Sequence, residues 1–124
     1  MGDYVYCSGE FVFTSEFKQH EEELTKLLSE VFYFVEDYIE EEYDGTYRLS
    51  VTENIEYNYL NMIDLYKIIT PYLKCAFLEF FINFDYGGIV LHQYNDNTWN
   101  EYTGLIDYRI DEEQMIQREI QKGE

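Results

Sequence analysis

Basic residues are scarce in this chain: 8 Lys and Arg stand against 26 Asp and Glu, a formal net charge of −18 at pH 7. Phosphate contacts need clustered Lys and Arg, so direct nucleic-acid binding is excluded, and anionic membrane surfaces are disfavoured for the same reason. Cysteine is limited to Cys7 and Cys75, far apart in sequence. With no export signal legible around Met1 to Cys7, the two are expected to be buried thiols in a reducing, cytoplasmic setting. Gly2 does not make a myristoylation signal, because Tyr6 stands where that pattern needs Ser or Thr. Long apolar runs are absent too. The longest stretch free of formal charge, Tyr86 to Asn95, falls well short of the roughly 20 residues of a membrane-spanning helix.

Groups that do chemistry are equally sparse. The two histidines, His20 and His92, have no nucleophile turn of the Gly-x-Ser-x-Gly kind beside them. His20 with Glu23 has helical spacing, but carboxylate di-metal sites use the order Glu then His and repeat it on a second helix. Asn95 to Asn97 with Glu101 lacks the glycine and alternating ligands of a calcium loop and is expected to be a tight turn. His92 is expected to be a solvated or hydrogen-bonded strand residue. Gly87 and Gly88 lack the lysine and helix of a phosphate loop. No enzyme activity, no metal and no cofactor are expected.

What the chain does contain is apolar and aromatic material, 46% and 19% of residues, far too much for a disordered acidic tail. One folded domain over residues 1–124 is expected. Asp3 to Thr14 suggests a hairpin turning at Cys7 to Glu10, with Gly9 in the turn. Phe17, Leu24, Leu27, Leu28, Val31, Val35, Tyr38 and Ile39 then recur mostly at three- and four-residue steps. That stripe predicts one long amphipathic helix over about residues 16–43, closed by Gly45.

Thr46 to Thr52 and Ile55 to Tyr59 alternate as two strands separated by Glu53 and Asn54. Asn61 can cap a short helix carrying Met62, Leu65, Tyr66 and Ile69, ended by Pro71. Tyr72 to Phe84 fits either period, and its aromatic and β-branched content favours a strand. A meander follows, with turns at Asp85 to Gly88 and Asn95 to Asn97 and a strand from Trp99 to Tyr102 or beyond. Asp111 to Gln114 forms a capping box opening a last helix through about Lys122. The expected fold class is α+β: a single antiparallel sheet with one long helix and two shorter ones.

Residues 36–44 hold six carboxylates in nine positions and no base. At the end of a long helix this placement opposes the dipole and sets Glu36 against Glu40 and Asp37 against Glu41, so stability does not explain it. Solubility alone is served by a net charge of about 2 to 8 on a small domain. A carboxylate-lined face can present charge to a basic protein much as a duplex presents phosphates. The 14 tyrosines add interface character, since Tyr gives large contact area at low entropy cost and stacks on Arg.

In size, acidity and aromatic content the chain is similar to DNA-mimicking inhibitors of the anti-restriction and anti-CRISPR kind encoded by phages. That similarity implies a stoichiometric inhibitor that occludes the nucleic-acid site of a basic protein partner. On this reading Glu36, Asp37, Glu40, Glu41, Glu42 and Asp44 meet Lys and Arg of the partner, flanked by Tyr33 and Tyr43. The alternative is an immunity protein or antitoxin that caps a toxin. A third reading, a small-molecule site lined by the aromatics of Tyr72 to Tyr94, has only the apolar run in its favour.

Overall fold

The computed structural model describes residues 3–82 and 88–105. The chain begins with strand β1 (Asp3–Phe13), followed by a 3-10 segment (Ser15–His20) and helix α1 (Glu21–Leu28). A one-turn helix α2 (Val35–Tyr38) leads directly into strand β2 (Ile39–Glu41). Strand β3 (Tyr47–Tyr57), helix α3 (Tyr59–Ile69) and strands β4 (Leu73–Ile82), β5 (Gly88–Asn95) and β6 (Thr98–Leu105) complete the described chain. All six strands form one antiparallel sheet in the order β2-β3-β1-β4-β5-β6. The fold is therefore α+β, as expected.

Strict alternation builds the core face. Tyr47, Leu49, Val51 and Ile55 of β3 are buried while Arg48, Ser50, Thr52 and Glu56 are exposed, the period-2 signature of a sheet covered on one side. Val5, Cys7, Phe11 and Phe13 of β1 and Leu78 and Phe80 of β4 join the same cluster. The helices contribute Leu24, Leu28, Met62, Leu65 and Ile69. Burial pushes the Cys7 thiol well above its ordinary range, with the nearby Glu53 and Glu79 charges adding to the effect. Both cysteines are free, but only Cys7 is buried as expected, Cys75 being partly exposed. Among the described residues no helix is long and apolar enough to cross a membrane.

Three local expectations are corrected. There is no hairpin within residues 3–14, because β1 runs straight through Gly9, which pairs with Val51 on one side and Leu78 on the other. A Cβ at position 9 would lie 2.1 Å from the carbonyl oxygen of Phe77. Glycine is required there by the close approach of β4, not by a turn. Likewise Glu53 and Asn54 do not divide two strands. Glu53 falls on an inward position of a continuous β3, and its carboxylate accepts the backbone N–H of Tyr33 at 2.9 Å. Burial holds the Glu53 carboxyl above its usual range, opposed by that hydrogen bond.

The third correction concerns the long helix over residues 16–43, which does not exist as one element. Its first part forms, since Leu24 and Leu28 lie four apart on one buried face. After Leu28 the backbone tightens, with Val31 and Phe32 both donating to the Leu28 carbonyl. Phe32 then buries against Phe11, with ring centroids 5.6 Å apart, and Phe34 takes a left-handed φ of 60°. The aromatic run Phe32 to Phe34 is drawn into the core and onto the surface by packing, which overrides the helical period. Residues 39–41 become a strand, and Gly45, with φ 86°, serves the β2–β3 turn.

The later elements follow the sequence more closely. The cap of α3 is Asn58 and not Asn61, which lies within the helix and donates its N–H to the Asn58 side chain at 3.1 Å. Residues 73–82 form a strand. Asp96 and Asn97, with φ 52° and 63°, make the two-residue turn between β5 and β6. The capping box at Asp111 with its helix, and most of the turn at Asp85 to Gly88, lie outside the described residues.

Candidate functional site

The acidic segment occupies one edge of the sheet, where β2 pairs with β3 alone. Glu36 and Asp37 lie in the first turn of α2, and Glu40 and Glu41 are exposed on β2. Glu42 and Asp44 stand in the turn that follows. The segment is thus a helical turn, an edge strand and a loop in succession, not the end of a long helix. The like-charged helical pairs Glu36 with Glu40 and Asp37 with Glu41 do not arise, because Ile39 is already extended.

These carboxylates are not equivalent. Arg48 reaches Glu42 at 3.2 Å and Glu10 at 3.5 Å. Glu41 accepts the hydroxyl of Tyr47 at 2.7 Å, which raises that phenol above its ordinary range. Asp44 accepts both the backbone N–H and the hydroxyl of Thr46, at 3.1 and 2.6 Å, and these bonds hold its carboxyl below the usual value. Glu36, Asp37 and Glu40 are exposed and, among the described residues, make no ion pair or side-chain hydrogen bond.

The flanking tyrosines are where the sequence suggested, both on the surface: Tyr33 is 50% exposed and Tyr43 fully so. Two further aromatics in the same stretch were not anticipated, Phe34 at 66% and Tyr38 at 57%. No pattern in the sequence marks them, because Tyr38 fits the helical stripe and Phe34 is exposed only through its left-handed backbone. Not all of the 14 tyrosines are free for an interface, since Tyr57 is half-buried and Tyr94 buried. Burial pushes the Tyr57 phenol up to about 12.

A second site sits toward the opposite edge, in a cleft of about 510 Å³ between α3 and the β5–β6 hairpin. The two-residue turn fixes the hairpin register, placing His92 opposite Glu101 and Tyr94 opposite Trp99. His92, only 3% exposed, has Nε2 2.8 Å from Oε2 of Glu101 and Nδ1 2.6 Å from the Tyr66 hydroxyl. A carboxylate only accepts, so Nε2 carries the proton and donates it, while Nδ1 accepts from the Tyr66 O–H. Burial lowers the His92 basicity, and Glu101 only partly opposes it. Burial also raises the Tyr66 phenol far above its normal range. A neutral Tyr66 phenol and a neutral His92 imidazole are therefore the stable form of this relay.

Trp99 stacks on Tyr66 with ring centroids 4.0 Å apart and planes 13° from parallel, and its indole N–H donates to the Thr70 hydroxyl at 2.9 Å. That hydroxyl donates in turn to the Tyr66 carbonyl. The ring and backbone of Tyr66 are thereby held from both sides. Among the described residues no group of three or more His, Cys, Asp and Glu could hold a metal.

Fold and sites define a six-stranded antiparallel α+β protein with an acidic edge and a separate aromatic cleft. Comparison with known protein families, with curated proteins and with solved structures finds no match.

Proposed function

We propose that the protein is a stoichiometric, non-enzymatic inhibitor that occludes the basic nucleic-acid-binding site of a partner protein in the cytoplasm. The observation that carries this reading is the set Glu36, Asp37 and Glu40, three exposed carboxylates with no base paired to them among the described residues. They lie in a stretch that also exposes Tyr33, Phe34, Tyr38 and Tyr43. Unpaired carboxylates supply attraction and fast, salt-sensitive encounter with a basic groove, while aromatics supply the buried contact area that holds it.

Protection of an exposed sheet edge is the competing explanation, since charged residues on edge strands block pairing with other chains. It accounts for Glu40 and Glu41 on β2. It does not account for Glu36 and Asp37 in α2, nor for four exposed aromatics beside the edge, which edge protection would remove. Phe34 argues further for retention by function: a bulky side chain at positive φ costs on the order of 1 to 3 kcal/mol, and here that backbone displays an aromatic ring.

The test compares the wild-type chain with a Glu36→Gln, Asp37→Asn, Glu40→Gln variant in affinity capture from cells in which the gene occurs, with elution by rising salt. The wild type is expected to retain a basic nucleic-acid-handling protein that the variant loses. Equal retention of the same proteins by both chains contradicts the reading. A salt-resistant toxin as the one partner replaces it with the immunity-protein alternative.

A further inference from the structure

The cleft at the other end of the sheet stands apart from the acidic edge. From β2 to β6 are five strand steps, on the order of 24 Å at about 4.8 Å each. What the cleft does is therefore independent of the inhibitor reading. We propose that it binds a small organic cation, a planar amidinium or guanidinium head carried on a flat apolar body, with Glu101 as the counter-charge.

Size and lining come first. A volume of about 510 Å³ lies within the range of small-molecule sites, and the walls are mostly ring and aliphatic surface from Tyr59, Ile63, Tyr66 and Trp99. Tyr59 is half exposed and stands edge-on to His92, ring centroids 6.3 Å apart, which leaves it at the mouth of the cleft. A flat body can pack there without displacing a core side chain.

The polar groups select the charge. Glu101 has one carboxylate oxygen fixed on buried His92, and its side chain is 41% exposed in the cleft wall. Among the described residues no Lys or Arg pairs with it, although Lys67 lines the same cleft. Burying an imidazole costs free energy unless both nitrogens are satisfied. The bonds to Tyr66 and Glu101 satisfy them, and what the protein gains is a carboxylate anchored through one oxygen and partly exposed in the cleft wall. A planar, two-donor head fits such an acceptor better than a spherical ammonium does. The −18 net charge raises the local concentration of cations and repels anions, which disfavours an anionic ligand on Lys67.

Trp99 is the chain's single tryptophan, so tryptophan emission reports on this cleft alone. The full chain is titrated with benzamidine, and separately with benzamide and benzoate, which share its shape but are neutral and anionic. A saturable emission change with benzamidine is expected, at least about tenfold weaker binding of benzamide, equivalent to about 1.4 kcal/mol, and no response to benzoate. Glu101→Gln keeps an acceptor for His92 and should weaken benzamidine by a similar factor. Tyr59→Ala, at an exposed position, should also weaken it while leaving the hydrogen bonds among Tyr66, His92 and Glu101 in place. The proposal is overturned if benzamidine gives no saturable change at millimolar concentration, if benzamide or benzoate binds equally well, or if both variants bind like the wild type.

Discussion

The Tyr66 hydroxyl lies 2.6 Å from Nδ1 of His92, and because the other ring nitrogen donates to Glu101, the phenol must be the donor. Removing it strands a buried acceptor. Tyr66→Phe is therefore expected to cost about 1 to 3 kcal/mol despite keeping the ring, read as a lowered midpoint in urea unfolding. A change within error would mean that water satisfies Nδ1 in the variant or that the bond contributes nothing net.

The same relay makes a pH dependence. His92 titrates in the fold below its ordinary value of 6.5 because burial disfavours the imidazolium. Above that value both folded and unfolded states are neutral at this residue. As pH falls below 6.5 the unfolded chain takes up a proton that the folded chain does not, so this contribution to stability is lost toward acid. Comparing His92→Gln with wild type isolates the effect from the relief of carboxylate repulsion that acid brings to both. The wild-type stability advantage over the variant should shrink between pH 7 and pH 5, and a constant difference would contradict the assignment.

Gly9 offers a sharper structural test. Ala at this position would set its Cβ 2.1 Å from a backbone oxygen of the neighbouring strand, which cannot move aside as a side chain would. Gly9→Ala should destabilise by about 3 kcal/mol or more, measured by denaturant unfolding or seen as loss of soluble protein. Ordinary stability in this variant would show that β1 and β4 do not approach so closely.

Phe34 separates stability from function. Glycine accepts φ 60° without strain, and the Phe34 ring is two-thirds exposed, so Phe34→Gly should leave stability unchanged or raise it by up to about 1 kcal/mol. On the proposed function the same change should weaken partner capture. A variant that is destabilised instead would mean that the ring packs in the fold and is not displayed for a partner.

How far the sequence led depended on whether local pattern and tertiary packing agreed. The strands Leu73–Ile82 and Thr98–Leu105 and helix α3 were legible because alternation, the apolar helical spacing and Pro71 all act locally, although the cap is Asn58 and not Asn61. The helix over residues 16–43 misled because Phe17, Leu24, Leu28 and Val35 keep a helical spacing and are all buried, although the chain between Leu28 and Val35 is a turn. Nothing local announces that Phe32 swings onto Phe11, or that Glu53 arrives from β3 to accept the Tyr33 N–H. Gly9 was misread for a related reason, since a glycine needed for strand approach looks in sequence like one needed for a turn.

The cleft was within reach and was not assembled. A two-residue turn at Asp96 and Asn97 fixes the pairing of the whole hairpin, so that His92 must face Glu101. Tyr66 and the rest of the α3 wall required the tertiary structure. At the acidic edge the composition was legible, but the sequence treated all six carboxylates alike. Their division into Glu41, Glu42 and Asp44, which hold the turn and strand, and Glu36, Asp37 and Glu40, which hold nothing in the described fold, follows from where Tyr47, Arg48 and Thr46 fall.

Occlusion itself is tested most directly by competition. The basic partner recovered by capture is immobilised, loaded with duplex DNA, and titrated with this protein while both ligands are followed. If the acidic edge fills the nucleic-acid site, DNA is displaced one for one, and the Glu36→Gln, Asp37→Asn, Glu40→Gln variant displaces it only at concentrations at least about tenfold higher. A ternary complex, with protein and DNA bound together at saturation, would contradict the account.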